Sequence, residues 1–127
     1  MELLVELNLV GAEVTQINLG FEFVLLLWPE ASIQVGGPFT ISERGAGVIS
    51  FASPEEVLGN PEAVASLFRR HLTKAIISDS NELNLEFSDG MSVAVPPSQG
   101  IEAFGLNLPG SPSKIVCIAG GTLEIWD

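Results

Sequence analysis

The chain has 127 residues, 46% of them hydrophobic and 17% charged, with a mean hydropathy of +0.41. That length fits one domain, 1–127, which can bury roughly two thirds of its unfolded surface without a disulfide or a metal. Sixteen acidic residues against five basic ones give a net charge of −11; this argues against nucleic acid and anionic membrane as partners, since both are held by Lys and Arg, and favours solubility or attraction to a basic protein.

Leu3, Val5, Leu7 and Leu9 occupy odd positions, with Glu6 and Asn8 between them, and predict a first strand, ended by Gly11. The odd positions 17–27 stay apolar across Gly20, which predicts two strands or one bent strand. Trp28-Pro29-Glu30 turns the chain, and Ser32-Ile33-Gln34-Val35 returns it. Short strands follow at Phe39-Thr40-Ile41 and Val48-Ile49-Ser50-Phe51, around a Gly45-Ala46-Gly47 turn. Ser53-Pro54-Glu55-Glu56 fits a capping box opening a short helix. Asn60-Pro61 then starts an amphipathic helix over about 61–72, with Val64, Leu67, Phe68, His71 and Leu72 as its apolar stripe.

Leu83, Leu85 and Phe87 alternate with Glu82, Asn84 and Glu86, and Val93 and Val95 with Ser92 and Ala94. A three-residue loop, Ser88-Asp89-Gly90, pairs Leu85 with Val93 and Leu83 with Val95 and keeps one face apolar. Pro96-Pro97 stops this hairpin, and the Gly- and Pro-rich stretch 98–113 reads as loop. A last hairpin runs over 114–119 and 122–126 around a two-residue Gly120-Gly121 turn, placing Ile118 opposite Leu123 and Val116 opposite Ile125. Its other face is partly apolar, which suggests cover from the helix, a loop or a second copy of the chain.

Sliding the chain by sixty positions lays 21–27 on 81–87 and 32–35 on 92–95 with apolar parity kept, and lays Ile17 on Ile77. Shared parity means a shared strand face. The expected fold is α+β and mainly antiparallel β. Two related hairpin or meander units, about 12–41 and 72–97, join a C-terminal hairpin and one amphipathic helix packed on the sheet.

No residue pattern announces an active site. His71 is the single histidine, and Cys117, within Ile115-Val116-Cys117-Ile118, is the single cysteine and reads as a small buried hydrophobe. A zinc site lacks ligands, and Asp79-Ser80-Asn81 fails as a calcium loop at Leu83. No glycine-rich phosphate loop precedes a helix, and no serine sits in a nucleophile elbow. The expectation is no catalytic, cofactor-binding or metal-binding residue. One lone thiol and no basic leader before an apolar run suit a cytoplasmic protein, and the longest apolar stretch, Phe23–Trp28, is too short to cross a membrane.

Ser88-Asp89-Gly90, Pro96-Pro97, Glu102-Ala103-Phe104 and Gly120-Gly121-Thr122-Leu123-Glu124-Ile125-Trp126 follow one another at intervals that resemble a family of small bacterial proteins of unknown function. The resemblance covers roughly residues 82–126 and carries no catalytic residues across. Three expectations follow. The first is a non-enzymatic module that binds a basic protein, such as an immunity-type inhibitor of a toxin. The second is a self-associating β domain, a homodimer. The third is a small-ligand binder with a pocket near Glu102, Phe104 and Trp126. Glu102 is expected to anchor structure, by capping amides or by pairing with Arg69 or Arg70.

Overall fold

A computed structural model describes residues 5–127; Leu3 of the predicted first strand lies outside them. Among the described residues, twelve antiparallel strands form two six-stranded sheets. The first sheet runs β1 (Val5–Glu6), β7 (Leu72–Ile77), β8 (Leu83–Phe87), β9 (Met91–Val95), β5 (Phe39–Glu43) and β6 (Gly47–Phe51). The second runs β12 (Leu123–Trp126), β11 (Lys114–Cys117), β10 (Phe104–Asn107), β4 (Ala31–Val35), β3 (Phe23–Trp28) and β2 (Glu13–Leu19). With a short α-helix and two 3-10 segments besides, the fold is α+β and mainly antiparallel β, as expected.

Alternation decides which face of each strand is buried. Phe23, Leu25, Ile33 and Val35 from the second sheet and Leu83, Leu85, Val93 and Val95 from the first are at most 2% exposed, and all belong to one apolar cluster. Phe23 stacks on Phe39 with ring centroids 5.3 Å apart, and Phe39 on Phe51 at 4.9 Å. These three rings tie the sheets face to face.

The connections interlock the two halves. The meander β2-β3-β4 lies in the second sheet, and the hairpin β5-β6 after it crosses to the first, where β5 pairs with β9. The meander β7-β8-β9 lies in the first sheet, and β10 after it crosses back to pair with β4. Each half thus completes the other's sheet. Phe23 pairs with Val35 and Leu25 with Ile33; sixty positions on, Leu83 pairs with Val95 and Leu85 with Val93. In the opening strands the offset is fifty-eight instead. Leu19 pairs with Phe23 as Ile77 pairs with Leu83, and both strands bulge, between Val14 and Gln16 and between Leu72 and Lys74. At each bulge a threonine hydroxyl donates across to the neighbouring strand, Thr15 to the Leu26 carbonyl at 3.2 Å and Thr73 to the Glu86 carbonyl at 3.1 Å. Leu19, not Ile17, is therefore the counterpart of Ile77, because the link 78–82 is two residues longer than the link 20–22.

Three expectations are corrected. The helix α1 spans Pro61–Ala65 and does not reach 72. Val64 and Leu67 are buried, but Phe68 is 51% exposed and Leu72 opens β7. Arg69 takes a positive φ of 70°, and the backbone of 69–72 pairs with 12–14 through Arg69 N–H to Val14 O, Val14 N–H to Arg70 O and Leu72 N–H to Ala12 O. Strand pairing overrides helical spacing, which is weak over so few turns. The capping box is not formed: the Ser53 side chain makes no capping bond, and Glu56 instead accepts the Ala52 amide at 2.6 Å beside a 3-10 helix, Pro54–Gly59. The last hairpin is shifted by one residue. Cys117 faces Leu123 and Ile115 faces Ile125, because Gly121 N–H closes on Ile118 O and Ile118 N–H on Thr122 O, which makes the loop 119–121 three residues long. The first and second meanders use loops of the same length, at Trp28-Pro29-Glu30 and Ser88–Gly90.

The strand β10 lies within the stretch predicted as loop. Phe104, Gly105 and Leu106 are buried between β4 and β11. Gly105 lets the sheet's outer surface carry polar side chains, since a Cβ there would stand 3.3 Å from Gln34 Oε1 and 3.4 Å from Glu102 Oε1.

Candidate protein-interaction surface

Glu102, Phe104 and Trp126 do not converge. Phe104 is 1% exposed and packs in the core. Glu102 is exposed and lies over Gly105 on the outer surface. Trp126 sits on the edge strand β12, 45% exposed, with the Lys114 ammonium 5.5 Å from its ring centroid. The expected pairing of Glu102 with Arg69 or Arg70 is replaced. Arg69 pairs with Glu13, and Arg70 with Asp89 at 2.9 Å. Arg70 also donates to the carbonyls of Ser66 and Ser88, at 2.6 and 3.0 Å. His71 lies opposite Glu13 in an isolated bridge, with its Nε2 3.8 Å from the carboxylate and its side chain 55% exposed. This corner fastens the start of β7 to β2, and its cations are consumed in doing so.

Apart from Arg44, exposed at the β5–β6 turn and outside the ion pairs, the remaining charge is negative. Lys74 pairs with Glu86 at 3.6 Å, and Lys114 covers Trp126. Among the described residues, the ion pairs engage three carboxylates, Glu13, Glu86 and Asp89, while Glu22, Glu30, Glu43, Glu55, Glu56, Glu62 and Glu124 are exposed outside them. Among the described residues, no cluster of three or more His, Cys, Asp and Glu side chains is placed to hold a metal ion, and no helix is long and apolar enough to cross a membrane.

Three of the exposed carboxylates, Glu43, Glu56 and Glu62, border cavities beside β6, which ends the first sheet and is paired on one side, to β5. Ile49 points to the inner side yet is 42% exposed, and Val48 on the outer side is 64% exposed. Beside Ile49 opens a cavity of about 300 Å3, floored by Ile41, Met91 and Ala63 and flanked by Glu43 and Glu62. Beside Ser50 opens another of about 420 Å3, walled by Pro38, Thr40, Pro96 and Glu56. The sequence carries a signal for this edge. Val48-Ile49-Ser50-Phe51 carries no charge and no proline, the devices that normally protect an edge strand.

The sequence profile of a family of unknown function, DUF6188, matches residues 5–127. The chain belongs to the DUF6188 family. No curated protein and no solved structure matches it. The twelve strands of this DUF6188 chain, including the acidic edge at β6, lie within the matched residues.

Cys117 in this DUF6188 chain is fully buried in β11. Burial, reinforced by the negative charge of Glu102, raises its thiol pKa above the ordinary 9.0. The unfolded thiol gives up its proton near that ordinary value while the folded one keeps it. The unfolded state then binds fewer protons, so stability falls as pH rises past about 9. Urea denaturation at pH 7 and at about pH 10 should show a smaller alkaline loss for Cys117→Ala than for the natural chain. Equal losses would contradict the assignment.

Proposed function

We propose that the protein is a non-enzymatic binding module for a basic protein partner. The observation that carries this reading is the distribution of charge: the corner ion pairs use the cations Arg69 and Arg70 internally, whereas most carboxylates face water without a counter-charge. Such a surface raises the encounter rate with a basic partner and makes the complex sensitive to salt. Small size, net charge of −11 and a recognition surface without a catalytic set fit an immunity-type inhibitor that covers a basic toxin. Capture of partners at low salt followed by titration of the purified pair tests this. The expected partner is basic, and its affinity falls about tenfold between about 50 and 500 mM salt. A neutral or acidic partner with salt-independent affinity would refute the reading.

A second reading, a self-associating β domain, is favoured by the open edges at β6 and β12 with Ile49, Ile125 and Trp126 exposed. Sedimentation equilibrium separates the two, because a homodimer gains mass with concentration in the absence of any partner.

A further inference from the structure

We propose that the β6 edge receives an extended, basic segment of the partner as an added antiparallel or parallel strand, with alternate side chains entering the two flanking cavities. The inference rests on the reading of the protein as a module for a basic partner and names the site of that contact.

The backbone of β6 is available for such pairing. Arg44 donates its N–H to the Gly90 carbonyl on the β9 side of β5. Alternation along an antiparallel pair then directs the N–H and C=O groups of Ile41 and Glu43 toward β6, where they meet Ile49 and Gly47. The backbone groups of Val48 and Ser50 consequently face outward. A strand laid there would gain main-chain hydrogen bonds, the usual source of affinity when a peptide extends a sheet.

The side-chain environment sets the chemistry of the segment. On the inner side, Ile49 and the adjoining cavity of about 300 Å3 offer an apolar floor, and Glu43 and Glu62 stand at its rim. On the outer side, the cavity of about 420 Å3 beside Ser50 is bordered by Glu56. Side chains of an added strand alternate between these two sides with period two. A long cationic side chain fits the inner side, because its methylene stem covers Ile49 while its charged end reaches Glu43 and Glu62, and an apolar side chain fits the outer side against Pro38 and Pro96.

Both edges of the second sheet offer less to a cation. The start of β2 is already paired with the backbone of Arg69 and Arg70, and β12 carries Trp126 under the Lys114 ammonium. Arg44, the nearest cation to β6 in sequence, packs its side chain over Gly90. Charge also decides between a foreign segment and a second copy. Two β6 edges brought together would oppose Glu43, Glu56 and Glu62 with their own duplicates on chains that each carry −11.

Fluorescence anisotropy with a short labelled peptide of alternating lysine and valine tests the inference on the full chain. Two control peptides are used. One has the same composition with its lysines in a block, and the other is methylated on successive backbone nitrogens so that it keeps charge but neither of its edges can pair as a strand. The alternating peptide is expected to bind about tenfold more tightly than either control. Ser50→Pro removes an outward N–H without touching the β5 ladder and should weaken binding about tenfold. The double variant Glu43→Gln, Glu62→Gln alters exposed side chains, keeps the fold, and should weaken binding several-fold with a shallower salt dependence. Equal, salt-sensitive binding of all three peptides would overturn strand addition at β6 while leaving the basic-partner reading intact. No binding of any cationic peptide at low salt would overturn both. Growth in mass with concentration that Ser50→Pro abolishes would give the edge to a second copy and overturn the inference.

Discussion

Replacing Phe39 with alanine is expected to destabilise the protein by about 3–5 kcal/mol, read as a lower urea midpoint with an unchanged slope. Phe39 is the middle ring of three, between Phe23 and Phe51, and is 1% exposed. Its loss removes contacts to both neighbours and leaves a cavity where the two sheets meet, at a place fixed by β5 pairing on both sides. The well-packed backbone around it cannot collapse to fill the gap. Phe68→Ala serves as the comparison. That ring is 51% exposed and flanks the apolar groove between α1 and β2, so its removal should change stability by less than about 1 kcal/mol. Similar effects from the two substitutions would deny Phe39 its bridging role.

Gly36→Ala should be nearly as damaging, at about 3 kcal/mol. Gly36 lies where the chain leaves β4 to cross toward β5, and its N–H donates to the Ala103 carbonyl at 3.0 Å. A Cβ there would stand 2.6 Å from the Glu102 carbonyl oxygen. The obstacle is backbone, held in place because Ala103 in turn donates to the Cys117 carbonyl. Either the crossing or the entry to β10 must move. Gly20→Ala and Gly100→Ala provide the control, since a Cβ at either position meets nothing within 4 Å and neither residue needs a positive φ. Thermal denaturation of the three variants should single out Gly36→Ala.

Strands with repeated alternation could be read directly from the residues. In β8 and β9 three apolar positions on each side fix both parity and register, and only a three-residue loop keeps them together. The same reasoning failed at the last hairpin because the pair Gly120-Gly121 resembles a two-residue turn, while the hydrogen bonds close one residue earlier, at Ile118. In 61–72, helical spacing and strand capture compete, and Val14 decides the matter from far away in sequence. The strand β10 offers only Phe104 and Leu106 as alternating apolar residues, set among glycines and prolines that read as loop. The candidate surface was less accessible still. Glu102, Phe104 and Trp126 stand out as residue types but point in different directions, whereas the acidic surroundings of β6 draw on Glu43, Glu56 and Glu62 from three elements that only the folded topology brings together.

Residue-resolved amide hydrogen exchange on the complex with the captured basic partner reports where recognition occurs. The Val48 and Ser50 amides, open in the free chain, should exchange about tenfold more slowly in the complex. Protection confined to β2 or β12, with Val48 and Ser50 unchanged, would contradict the assignment of β6 as the docking edge.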